Sequence, residues 1–165
     1  MKKILAMLLA LVMVLSLAAC ASTQPAAEPA ASSDAPAESG KTYTVGVCQL
    51  VQHEALDAAT QGFVDALKEA LGDAVTIDAQ KASGDSVNCG TIVNGFVSKG
   101  VDLIMATATP ALHAAVSATA DIPILGTSIT AYGVALDIDD FSGTVGGNVS
   151  GTSDLADLQK QAQMI

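Results

Sequence analysis

Val101-Asp-Leu-Ile-Met-Ala-Thr107 constrains the fold more than any other stretch of the chain. It is apolar almost without alternation, which suits a strand buried on both faces of a parallel sheet rather than one with a wet side. Its flanks obey the same logic. Tyr43–Leu50 is β-rich and reads as a first strand. In His53–Leu71, Leu56, Ala59, Phe63, Leu67 and Ala70 recur at helical spacing, with Asp57, Gln61, Asp65 and Lys68 on the other side and Gly72 as the stop. Val75–Ala79 predicts a second strand. Gly84-Asp85-Ser86 predicts the cap of a second helix carrying Val87, Ile92, Val93 and Phe96 and ended by Lys99-Gly100. Thr109-Pro110 predicts a third helix running to about Ala120, with Thr109 as N-cap, and Asp121–Leu125 a fourth strand. The expected fold is therefore α/β: a doubly wound parallel sheet of order 2-1-3-4, forming a single Rossmann-like lobe. Val134–Ile138 is a candidate fifth strand, Phe141–Gly151 reads as a glycine-rich loop, and Ser153-Asp154 predicts the start of a last helix.

The amino end is of another kind. Lys2 and Lys3 precede an apolar run from Ile4 to Leu17, shorter than the roughly 20 residues a membrane span needs. A charged start, a short apolar run and then small residues predict an export signal over 1–19. Leu17-Ala-Ala-Cys20 resembles the bacterial lipobox, whose Cys sulfur takes a diacylglyceryl group and becomes the new N-terminus. Two long acyl chains hold a protein to a bilayer, at about 0.8 kcal/mol per buried CH₂. The expectation is a lipid-anchored protein at the cell membrane, facing the extracellular side or a periplasm. Residues 20–41, rich in Ala, Pro, Ser and Glu, predict a flexible linker. The remaining divisions are a lobe at 42–140 and, at 141–165, a crossover and the start of a second lobe that the chain does not contain. The final helix has no cap before Ile165, which predicts truncation.

Composition excludes several functions. Seven Lys and no Arg stand against 17 acidic residues, a formal charge of −10, which argues against a nucleic-acid partner. Three cysteines without paired spacing supply neither a disulfide framework nor a CxxC zinc site. His53-Glu54 has no second His at metalloprotease spacing, Cys89 and His113 have nothing to bring them together, and GxSxG, Walker A and GxGxxG patterns are absent. No cofactor, metal or catalysis is expected. Cys48 and Cys89 are expected as two buried free thiols, with a disulfide between them as the alternative.

Open α/β sheets bind ligands outside the carboxyl ends of their strands. On this reading the first strand delivers Gln49, Leu50 and the stretch to His53, the third Thr107 and Thr109, and the fourth Thr127, Ser128 and Thr130, with Tyr132 just beyond. Hydroxyls and amides dominate, which suits reversible hydrogen bonding to a zwitterion. Without Arg, the start of the third helix at Thr109 is the expected seat for a ligand carboxylate.

Several phrases then resemble one family. Gln49-Leu-Val-Gln-His-Glu-Ala-Leu-Asp-Ala-Ala59, Gly62-Phe63, Val101-Asp-Leu-Ile104, Ala108-Thr-Pro-Ala111, Asp121-Ile-Pro123 and Gly147-Asn-Val-Ser-Gly-Thr-Ser-Asp154 are similar to the ABC-transporter substrate-binding lipoproteins of the tryptophan/tyrosine-type branch. The likeness covers about residues 42–165. It implies a type I periplasmic-binding-protein fold of two lobes, an amino acid or similar small ligand held between them, and permease and ATPase subunits as partners. It also implies chains of about twice this length, so one lobe alone is expected to bind weakly or not at all. The family often has Pro where this chain has Glu54 and Asp where it has Ala131, the latter in the expected site. A ligand-sensing surface lipoprotein without transport, and a fragment without function, are the alternatives.

Overall fold

The computed structural model describes residues 40–156 and 158–164. The expected signal peptide, the Cys20 lipidation site and most of the linker lie outside the described residues. Five strands form one all-parallel sheet of order β2-β1-β3-β4-β5: β1 Tyr43–Gln49, β2 Val75–Lys81, β3 Leu103–Thr107, β4 Ile124–Ile129 and β5 Val149–Ser153. Between them run α1 (Glu54–Leu71), α2 (Ser86–Lys99), α3 (Thr109–Ala118) and a single turn, α4 (Tyr132–Ala135), and α5 (Leu158–Ala162) follows β5. Among the described residues no helix is long and apolar enough to cross a membrane.

Side-chain parity divides the sheet. Val45, Val47 and Met105 face α1 and pack with Phe63 and Leu67. Cys48, Ile104 and Ala106 face the other way, into the larger core under α2 and α3 with Cys89, Val93, Phe96 and Leu112. Because the chain steps from β1 outward to β2 and then returns across β1 to β3, the direction of winding reverses between β1 and β3. That gap is the switch point where such sheets open a crevice. The local signals hold α2 as expected: Asp85 Oδ1 accepts from the Val87 N–H at 2.8 Å, and Gly100, at φ 65°, closes the other end by donating to the Phe96 and Val97 carbonyls.

Four expectations change. Val134–Ile138 is not a strand; its first residues belong to α4, which seats Tyr132 and Ala135 in the core. The fifth strand lies instead at Val149–Ser153, across the end of the glycine-rich stretch, and the last helix begins at Leu158 rather than Ser153. The fourth strand runs later than Asp121–Leu125, so Thr127 and Ser128 lie inside it. It also carries one extra residue. Ile124, Leu125 and Gly126 pair with Val149, Ser150 and Gly151, but Ile129 pairs with Ser153, so a bulge sits at Thr127-Ser128, with Ser128 at φ 57°.

Thr109 is the fourth. It does not cap α3: it is the first helical residue, the cap position is Ala108, and no side-chain bond closes that end. β3 ends at Thr107, so one residue must make the whole turn. Ala108 does so at φ 77°, ψ 156°, a region nearly reserved for glycine that costs on the order of 1–3 kcal/mol.

Candidate functional site

Strain gathers at the carboxyl edge. Ser83 after β2, Ala108 after β3 and Ser128 near the end of β4 all have positive φ without being glycine. These are three of the five such residues among the described residues, the others being Asp137 and Asp140, and outliers at the edge where parallel sheets bind are of the kind that marks a functional surface. At the switch point the loops are joined by backbone bonds: the Leu50 N–H donates to the Thr107 carbonyl at 3.3 Å and the Gly84 N–H to the Leu50 carbonyl at 2.7 Å.

Below that edge a polar row crosses the sheet. Lys81, Gln49, Thr107 and Thr127 are register partners on four adjacent strands and therefore share the α1 side. The first turns of α1 overhang them. Gln49, 1% exposed, donates from Nε2 to the Val51 carbonyl (2.8 Å) and to Asp57 Oδ1 (2.6 Å), and its Oε1 accepts from Thr60 at 2.8 Å. The Thr60 proton is thereby spent, so in its 3.4 Å contact with Thr107 it is the Thr107 hydroxyl that donates. Lys81 Nζ closes the outer end on Asp57 Oδ1 at 2.7 Å. At the other end Thr152 donates to Thr127 at 3.4 Å. No buried side-chain polar atom among the described residues lacks a partner.

Asp57 was expected on the solvent side of its helix, yet it faces this row. The helical stripe that meets apolar core further along α1 meets strand ends at its first turn, and there polar residues fit. The hydrogen bond from Lys81, and next that from Gln49, hold the Asp57 carboxyl below the usual carboxylate range. A depressed carboxylate binds fewer protons folded than unfolded. Its stabilisation is complete above the ordinary value of 3.8 and is lost as pH falls through the lower folded value. In urea titrations from pH 6 downward, the stability difference between wild type and Asp57→Asn should therefore shrink below about pH 4. A difference that stays constant into acid would remove the pair from the account.

The expected site residues do not form one cluster. Gln49 and Thr107 are joined through Thr60 but are buried, with the Gln49 donors committed. Leu50 is half-buried and packs on the larger core. His53 is exposed and caps α1, its Nδ1 accepting from the Ala55 N–H at 3.2 Å. Thr109 lines a groove of about 430 Å³ between α2 and α3, with Ser86, Gly90, Pro110 and His113. The anion-holding capacity of that helix end is smaller than expected, because the Ala111 and Leu112 N–H groups both turn back to the Ala108 carbonyl and Pro110 has no N–H. Thr127 lines a cleft on the α1 side with Phe63, Met105 and Thr152. Ser128 forms the bulge.

Thr130 and Tyr132 do meet. Both line a cavity of about 460 Å³ beyond the ends of β4 and β5, walled by Ala131, Val134, Ile138 and Phe141 and reaching Ser153. Tyr132 is 6% exposed and donates to the Gly126 carbonyl at 2.8 Å; burial, then Asp154, raises its phenol above the usual range. Ser153 Oγ donates to the Thr130 carbonyl at 2.9 Å, tying the two strand ends together. Residue-type reasoning missed Asp57, Thr60 and Lys81. The Asp57/Thr60 spacing of three, which puts both on one helix face, was the available signal.

Comparison with known proteins bears on this edge. A family model described as ABC transporter substrate binding protein matches residues 44–165. A tyrosine-binding protein of Clostridioides difficile is 37% identical over 99% of this chain and 48% of its own length. A substrate-binding protein with adhesive properties from Clostridium difficile, solved ligand-free and open, superposes with TM-score 0.68 at 40% identity, over 74% of this chain and 42% of that one. An ABC domain from Streptococcus pneumonia solved with L-Trp gives TM-score 0.69 at 35% identity, over 76% and 43%. The chain thus spans about half the length of the curated relative it matches.

Proposed function

Since the chain belongs to the ABC transporter substrate-binding protein family, we propose that its carboxyl edge is one wall of an amino-acid site, completed by a second lobe that closes over it. The observation that carries this reading is the positive φ of Ser83, Ala108 and Ser128 at the carboxyl ends of β2, β3 and β4, beside hydroxyls and an aromatic-lined cavity. Relatives named for tyrosine and solved with L-Trp support an aromatic amino acid as the ligand. Phe141, Ile138 and the Tyr132 ring offer apolar surface to its side chain, while Thr130 offers a donor to its zwitterionic end. Leu17-Ala-Ala-Cys20 supports an exported, lipid-anchored protein, and the family match supports a permease and an ATPase as its partners. Incorporation of a palmitate analogue, lost in Cys20→Ser, is the expected sign of the anchor; equal labelling of both would discard it.

A site normally buries 70–90% or more of a small ligand, and one lobe covers only part of that. Binding by this chain should therefore be weak, with Kd on the order of 1 mM, about −4 kcal/mol. In amide-resolved NMR titrations, L-Tyr and L-Trp should shift Thr130–Gly133 while L-Glu should not. No amino acid moving any of these amides would end the proposal.

A further inference from the structure

We propose that Cys48 and Cys89 are a cross-linking site: a disulfide bond closes between β1 and α2 when the chain folds in the presence of a disulfide oxidant. The placement follows from parity. Gly46 and Cys48 point to the same side of β1, two residues apart or about 7 Å along the strand. On α2, which runs back over β1, Phe96 and Cys89 are seven residues apart, two turns and about 10 Å. Phe96 lies directly over Gly46, since a Cβ there would stand 2.6 Å from the ring. Following both elements in opposite directions from that contact brings Cys89 over Cys48, with Val93 between the two contacts. Both thiols are free in this structure, each perturbs the titration of the other, both are 0% exposed, and they share one core.

The chemistry balances with a small-molecule or protein disulfide as oxidant. One cysteine thiolate attacks the oxidant's S–S bond, which breaks and releases a thiolate that takes up a proton. The second cysteine thiolate attacks the resulting mixed disulfide and releases the other half as a thiol. Two cysteine thiols and one disulfide thus become the Cys48–Cys89 bond and two thiols, with two electrons passed to the oxidant. Timing follows from burial. In the folded chain the Cys48 thiol is pushed up to about 12, by burial first and the neighbouring Cys89 second, and the Cys89 thiol is raised by burial. Little thiolate is then available for exchange. The redox state is set while the core is still open and is kept afterwards.

The test uses the full chain, reduced and unfolded, then refolded with oxidised glutathione, alkylated in denaturant without reductant and mapped by mass spectrometry. The expected result is a Cys48–Cys89 linked peptide as the dominant species. Its melting temperature should exceed that of the reduced protein by on the order of 10 °C, as a closed loop of about 40 residues restricts the unfolded chain. Alkylation of both sites, a bridge to Cys20 instead, or a linked protein that melts lower than the reduced one would each overturn the proposal. The refolding needs no cell, so it decides the pair's competence whether or not the exported binding role holds.

Discussion

Gly46→Ala should lower the melting temperature by about 10 °C, the equivalent of roughly 3 kcal/mol in a domain of this size. The new methyl would meet three atoms of the Phe96 ring at 2.6 to 3.0 Å, closer than real Cβ contacts come. The ring cannot swing aside cheaply, because Phe96 is 0% exposed and among the largest fully buried side chains. Either α2 lifts from β1 or the ring leaves its rotamer, and both expose core. Phe96→Leu makes the room. On its own it should cost about 1–2 kcal/mol in lost contact and cavity, but in its background Gly46→Ala should cost at least 1 kcal/mol less than in wild type. A double-mutant cycle in urea reads this directly, and strict additivity would show that the ring is not what Gly46 accommodates.

The second large effect belongs to Gly151. A Cβ there would overlap the Tyr132 hydroxyl and the Gly126 carbonyl oxygen and would stand 2.7 Å from the Gly126 nitrogen. Gly151 also holds φ at +153°, which strains any other residue. Two of the three obstacles are strand backbone, which has nowhere to move. Gly151→Ala should therefore detach β5 from β4, seen as fast hydrogen exchange at Asp154, whose N–H donates to the Ile129 carbonyl, and a stability loss of about 3 kcal/mol or more. Tyr132→Phe should by itself cost only about 1 kcal/mol, the worth of its bond to the Gly126 carbonyl. It should not rescue Gly151→Ala. Full rescue would mean the hydroxyl, not the neighbouring strand, fixes this glycine.

How far the chain could be read in advance depends on where the information lies. From Tyr43 to Ala118 it is local: apolar runs give the strands, and Asp85 and Gly100 mark the ends of α2 as capping chemistry requires. The order 2-1-3-4, expected of a doubly wound sheet with helices on both faces, is found. β5 is different. Val149-Ser-Gly-Thr-Ser153 has a single large apolar residue, and its strand character comes from pairing with Ile124–Gly126. The apolar Val134–Ile138 looked the better strand, but the chain there turns to bury Tyr132 and Ala135. The candidate site shows the same division. Residue types pointed to Thr130 and Tyr132, which share a cavity. They could not reveal that Gln49 is occupied by Asp57 and Thr60, because that depends on how α1 overhangs the strand ends.

The additional residue in β4 acts as an inversion of phase. Before it, Ile124 looks toward α2 and α3 and Leu125 toward α1; uninterrupted alternation would send Ile129 to the α1 side and Thr130 inward. With one residue inserted, Ile129 instead drops into the main core and Thr130 stands exposed at the rim of the cavity. Which side chains this strand offers a visitor is thus a matter of odd or even counting. Homologues that differ by a single deletion here would present a different rim from nearly the same letters.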